Sequence, residues 1–137
     1  MLVELQKILM KGDITSLYQP IVDKHTGEIF AYEALSRGPS DSPLHSPLQL
    51  FEQARKFNLL GEIESLCREK AAIGFVEQNL PGKLFINITP QSLEQAGHQK
   101  GQTLALLDNL DLESSQIVIE LTEQFPSSDE AVLLNAI

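Results

Sequence analysis

Three oxygen-bearing side chains, Glu33, Asn87 and Glu120, interrupt short apolar runs: IFAYEAL from Ile29 to Leu35, LFINI from Leu84 to Ile88, and IVIEL from Ile117 to Leu121. A carboxylate on an apolar strand is expensive to bury unless it is paired or bound to a metal. Two carboxylates and an amide offer oxygen atoms only. That donor set suits a hard cation, Mg2+ or Mn2+, rather than structural zinc, which prefers Cys and His. Each residue also has a purely structural explanation. Asn87 could satisfy backbone groups near the Pro90 turn, and Glu120 could pair with a neighbouring basic group.

The elements that must hold these groups can be read from periodicity. Tyr18 to Gly38 predicts a β-hairpin: Tyr18, Ile21 and Val22 lead into the turn Asp23-Lys24-His25-Thr26-Gly27, and Ile29 to Leu35 run out again. Side chains of the second strand alternate, so Glu33, Leu35 and Arg37 share one face and Tyr32, Ala34 and Ser36 the other. Upstream, Leu2, Leu5, Ile8 and Leu9 recur at helical spacing before Gly12. Downstream, Ser46 with Pro47 and Gln49 opens a helix whose apolar face is Leu50, Phe51, Ala54 and Phe57. A break at Asn58 to Gly61 precedes a second helix from about Glu62 to Asn79, apolar along Ile63, Leu66, Cys67, Ala71, Gly74 and Phe75.

Lys83 to Thr89 and Gln116 to Thr122 are short apolar runs of the kind found in parallel strands covered by helices. Their alternation sets Phe85, Asn87 and Thr89 on one face, and Val118, Glu120 and Thr122 on one face. A helical region lies between them, from about Gln91 to Leu110, and Ser127 with Glu130 caps a further helix through Leu134.

The 137 residues suit one domain, and 42% hydrophobic composition supplies a core. Nineteen acidic against ten basic residues give a formal charge of -9, which disfavours nucleic acid polymers, whose binding needs clustered Lys and Arg. The single Cys67 excludes an intramolecular disulfide and fits a reducing cytoplasm. No run of about 20 apolar residues predicts a membrane span. His25, His45 and His98 are not spaced for a metal site, and Cys67 reads as a packed helical residue rather than a nucleophile.

Glu33-Ala34-Leu35, preceded by Gln19-Pro20-Ile21 and followed by Arg37, resembles the signature of the EAL domain, the bacterial cyclic-di-GMP phosphodiesterase family. LFINITP, from Leu84 to Pro90, and IVIELTE, from Ile117 to Glu123, follow in the family's order. The resemblance implies an α/β fold, the first half of a modified (β/α)8 TIM barrel, a fold of about 250 residues. It implies that Glu33, Asn87 and Glu120 bind catalytic metal. Gln19, Leu35 and Arg37 would contact cyclic-di-GMP, with the Arg37 fork on a phosphate. Glu123 would support the site, although by alternation it points away from Glu120. Thr89 stands where the family usually has Ser.

The activity implied is hydrolysis of cyclic-di-GMP to linear pGpG by metal-activated water, with two Mg2+ or Mn2+ ions in the complete domain. Two Glu and one Asn cannot hold both ions, so these 137 residues alone are expected to be inactive. The alternative is a catalytically inactive EAL-type module that binds cyclic-di-GMP or a protein partner. The apolar pattern is still running at Ile137, which reads as a truncated domain. Half a barrel leaves a strand edge and apolar inner walls uncovered, so self-association is expected.

Overall fold

The expected hairpin forms β1 (Thr15–Val22) and β2 (Ile29–Arg37), antiparallel, with Thr15 opposite Arg37 and Gln19 opposite Glu33. Asp23 organises its turn by accepting the backbone N–H groups of His25 at 2.7 Å and Thr26 at 3.3 Å. This computed structural model describes residues 1–90, 108–110 and 112–121. Two further strands, β3 (Lys83–Ile88) and β4 (Ile117–Leu121), run parallel to β2 and complete a sheet of order β1-β2-β3-β4.

A parallel neighbour requires a crossover. Between β2 and β3 it is made by α2 (Pro47–Lys56) and α3 (Leu60–Glu77). The α2 start is the one the sequence predicts: Pro47 occupies its first turn, and the Ser46 hydroxyl accepts the Gln49 N–H at 3.5 Å. Leu50, Phe51 and Ala54 are buried as expected, but Phe57 is not. It caps the helix C-terminus and is 40% exposed, because Asn58 takes a left-handed φ of 58° and turns the chain. That turn also lets α3 begin two residues earlier than predicted, with Gly61 buried inside the helix.

The helices make one core and share a second with the sheet. α1 (Leu2–Lys11) presents Leu5 and Ile8 to Leu50, Ala54 and Ile63, and Gly12, left-handed at φ 63°, closes it. The other core lies between α3 and the sheet, where Ala71, Ala72 and Phe75 meet Ala34, Leu84 and Ile86. Full burial of such a Leu, Ile or Phe contributes about 1.5–3 kcal/mol. Tyr18 ties the two layers together by donating its hydroxyl to the Ala71 carbonyl at 2.6 Å.

The packing therefore selects one face of the sheet for α3. Glu33, Leu35, Phe85, Asn87 and Glu120 project from the other, together with Leu17, which is 51% exposed. Among the described residues, no helix is long and apolar enough to cross a membrane. The predicted helix from Gln91, apart from residues 108–110, lies outside the described residues, as do His98, Thr122, Glu123 and the Ser127–Glu130 cap.

Candidate functional site

The site arises from a fault in the sheet. β2 pairs with β3 only from Ala31 opposite Lys83 to Glu33 opposite Phe85. By contrast, β2 stays paired with β1 as far as Arg37, and β3 with β4 as far as Ile88. Beyond Glu33 the two middle strands part. The opening is a cavity of about 450 Å3, with Glu33, Arg37, Asn87 and Glu120 on its strand side and Phe51 and Cys67 reaching it from the helices.

Lost ladder bonds in such a split must be replaced or hydrated. Asn87 bridges it: its amide nitrogen donates to the Ala34 carbonyl at 3.4 Å and to the Glu33 carboxylate at 3.5 Å. Those donations orient the side chain so that its carbonyl oxygen is the atom suited to ligation. Glu120 stands opposite Asn87 in the β3–β4 register. Burial raises its pKa first, and then the charge of Glu33 and a hydrogen bond between the two carboxyls raise it further. Three residues separated by 54 and 33 positions thus share one corner. Glu120 thus resists ionising beside Glu33, and a cation would relieve that repulsion. Among the described residues there is no cluster of three or more His, Cys, Asp or Glu.

Leu35 and Arg37 line the same cavity. Arg37 is partly anchored, its Nη1 donating to the Ser36 carbonyl at 2.9 Å. It also borders a neighbouring cavity of about 400 Å3 reached by Asp13, Ser40 and His45. Gln19 lies across from Glu33 in the hairpin, exposed, and does not line the main cavity. The two described histidines stay apart from Glu33, Asn87 and Glu120: His25 sits in the hairpin turn, and His45 Nδ1 is 2.9 Å from the Gly38 carbonyl. Burial pushes the Cys67 thiol up to about 12, so it is a neutral packed group at physiological pH.

Thr89 lines the same cavity as Asn87. It lies one residue past β3, is 2% exposed, and offers its N–H to Glu64 of α3. Glu64 and Arg68 were missed by sequence reasoning, yet they are 4% and 8% exposed. The available signal was an acid–base pair spaced i, i+4 on the flank of the α3 apolar stripe. Burial lowers the pKa of Arg68, and the adjacent Glu64 charge opposes that change.

A family model described as EAL domain matches residues 2–137. The chain is 27% identical over 125 residues to an uncharacterised Sinorhizobium fredii protein, y4lL, covering 90% of this chain and 15% of that one. A standalone EAL protein from Vibrio cholerae, in a cyclic-di-GMP-bound form, is 27% identical with a TM-score of 0.68, over 90% of this chain and 52% of that one. The PaMucR phosphodiesterase, in complex with cyclic-di-GMP, is 23% identical with a TM-score of 0.76, over 97% of this chain and 56% of that one. The chain therefore spans about half the length of these solved structures.

Proposed function

Because the chain belongs to the EAL domain family, whose model it matches over residues 2–137, we propose that its split sheet is one side of a cyclic-di-GMP phosphodiesterase site. The carrying observation is the convergence of Glu33, Asn87 and Glu120, with the Glu120 carboxyl held towards its protonated form by burial and by Glu33. The all-oxygen donor set fits a divalent hard cation, Mg2+ or Mn2+. Such an ion supplies Lewis acidity, making water nucleophilic at neutral pH and offsetting charge on a phosphodiester.

The chain's own residues then divide the work. Glu33 and Glu120 provide the negative charge that holds the ion, and Asn87 fixes the Glu33 carboxylate while adding a neutral oxygen. Arg37, at the cavity edge, faces a cyclic-di-GMP phosphate with a fork that donates two hydrogen bonds. Leu35 forms an apolar part of the same wall, and Gln19, opposite Glu33 on β1 and outside that wall, would meet the ligand from its rim. The family resemblance gives Glu123, outside the described residues, a supporting role. A binding module without catalysis would have no use for the metal donors.

Hydrolysis to pGpG in a complete domain would use two such ions. Two carboxylates and one amide hold a single ion, so the 137 residues alone bind metal without turning over cyclic-di-GMP. Mn2+ titration followed by electron paramagnetic resonance tests the reading. Glu33→Gln, which keeps the shape and removes the charge, is expected to abolish binding. Equal affinity in Glu33→Gln and the native chain would refute the assignment, and pGpG formation by the isolated chain would refute the single-ion argument.

A further inference from the structure

We propose that Glu64, a residue outside the metal-binding set, is a positioning residue that holds Asn87 in place by anchoring the chain just beyond β3. The inference rests on the reading of Glu33, Asn87 and Glu120 as metal ligands. Its ground is the split between β2 and β3. A strand whose neighbour departs loses the ladder bonds on that side, so the end of β3 is held by β4 alone and a further tether steadies the side chain near it.

Glu64 supplies the tether from the helical layer. Its two carboxylate oxygens lie 3.2 and 3.5 Å from the Thr89 nitrogen and accept that N–H. Thr89 follows the last residue of β3 and stands two residues after Asn87. Both partners of the bond are buried, where a backbone donor left without an acceptor is costly.

A buried carboxylate also needs charge compensation. Arg68 stands one turn further along α3 and is itself buried. The acid preceding the base at i, i+4 is the favourable order on a helix. Arg68 places a positive charge beside Glu64, and a carboxylate accepts an N–H more strongly than a neutral group. Glu64 also lines the cavity that contains Glu33, Asn87 and Glu120. The tether therefore reaches the site from the helical layer, just past the end of β3, and fixes the far end of the strand that carries Asn87.

The test compares Glu64→Ala, which removes the acceptor, with Glu64→Gln, whose amide oxygen can still receive the Thr89 N–H. Folding is checked by circular dichroism. Mn2+ affinity is expected to fall about tenfold in Glu64→Ala, the lower range for losing a group that holds a ligand in place. Glu64→Gln should recover most of it. Native Mn2+ affinity in folded Glu64→Ala would overturn the proposal, as would an equal loss in both variants.

A second readout needs no metal. In 15N nuclear magnetic resonance spectra, the Asn87 side-chain amide signals should shift and broaden in Glu64→Ala and return in Glu64→Gln. Unchanged Asn87 signals would overturn the positioning role. Failure of the native chain to bind Mn2+, with the Asn87 signals still responding to Glu64→Ala, would remove the metal reading and leave the tether standing. If Glu64→Ala does not fold, Glu64→Gln and Arg68→Met carry the same comparison: Gln should retain the Asn87 signals and Met, which strips the compensating charge, should perturb them. Asn87 signals that respond in neither variant would refute the proposal.

Discussion

Replacing Gly74 by Ala in the middle of α3 sets two effects against each other, and the structure decides the sign. In an exposed helix the change would stabilise by about 1 kcal/mol. Here a methyl at position 74 would overlap the Tyr18 hydroxyl and stand 3.3 Å from Tyr18 Cζ. The hydroxyl cannot simply move aside, because it donates to the Ala71 carbonyl at 2.6 Å. Overpacking of this kind costs about 1–3 kcal/mol. Gly74→Ala is therefore expected to destabilise the chain despite its better helix propensity. Tyr18→Phe loses the hydrogen bond, worth about 0.5–1.5 kcal/mol.

The double variant separates the contributions. With the hydroxyl gone, the contact between the new methyl and the ring becomes tight but tolerable, and the helical gain offsets the lost bond. Its stability should approach that of the native chain. The coupling would be about 1–3 kcal/mol, beyond the roughly 0.5 kcal/mol scatter of independent sites. Urea unfolding followed by circular dichroism, with an unchanged slope across the four proteins, is the assay. Additive effects, or a Gly74→Ala that stabilises by the full helical amount, would show that Tyr18 does not lock the sheet to α3.

Glu120→Gln should stabilise the metal-free chain at about pH 7 while weakening Mn2+ binding. The sign follows from the raised pKa of Glu120: its contribution is full below the unfolded value near 4.5 and is lost as pH rises through the folded value, so the advantage of Gln should vanish on acidification. Thermal unfolding across that range checks it, and a Gln variant less stable at neutral pH would contradict the repulsion. Cys67 should react with a disulfide reagent about a thousandfold more slowly in the folded chain than in urea, since its thiol is pushed up to about 12 from 9.0. Equal rates would place it in solvent. Sedimentation at micromolar concentration should show association, given exposed Leu17, Val22, Ile29 and Phe30 on or beside the sheet-edge hairpin; a strict monomer with cooperative unfolding would count against it.

Local patterns were sufficient for much of the fold. The hairpin turn follows from Asp23 and Gly27, the α2 start from Ser46 and Pro47, and the strand faces from simple alternation around Glu33, Asn87 and Glu120. These features depend on residues close in sequence, so they can be read there. The motifs also marked the candidate site residues, including Leu35 and Arg37, which border the cavity. Phe57 was misread because its exposure depends on the Asn58 turn, a single backbone angle that apolar periodicity does not report. Only the tertiary structure decided that β2 and β3 separate after Glu33, since where two strands stop pairing depends on how each is held by its other neighbour and by α3. Glu64 could be read from the sequence as half of an i, i+4 pair with Arg68, but its role as an acceptor could not. Its acceptor role exists only because the fold brings a backbone N–H 25 residues away, at Thr89, beside it in a buried layer.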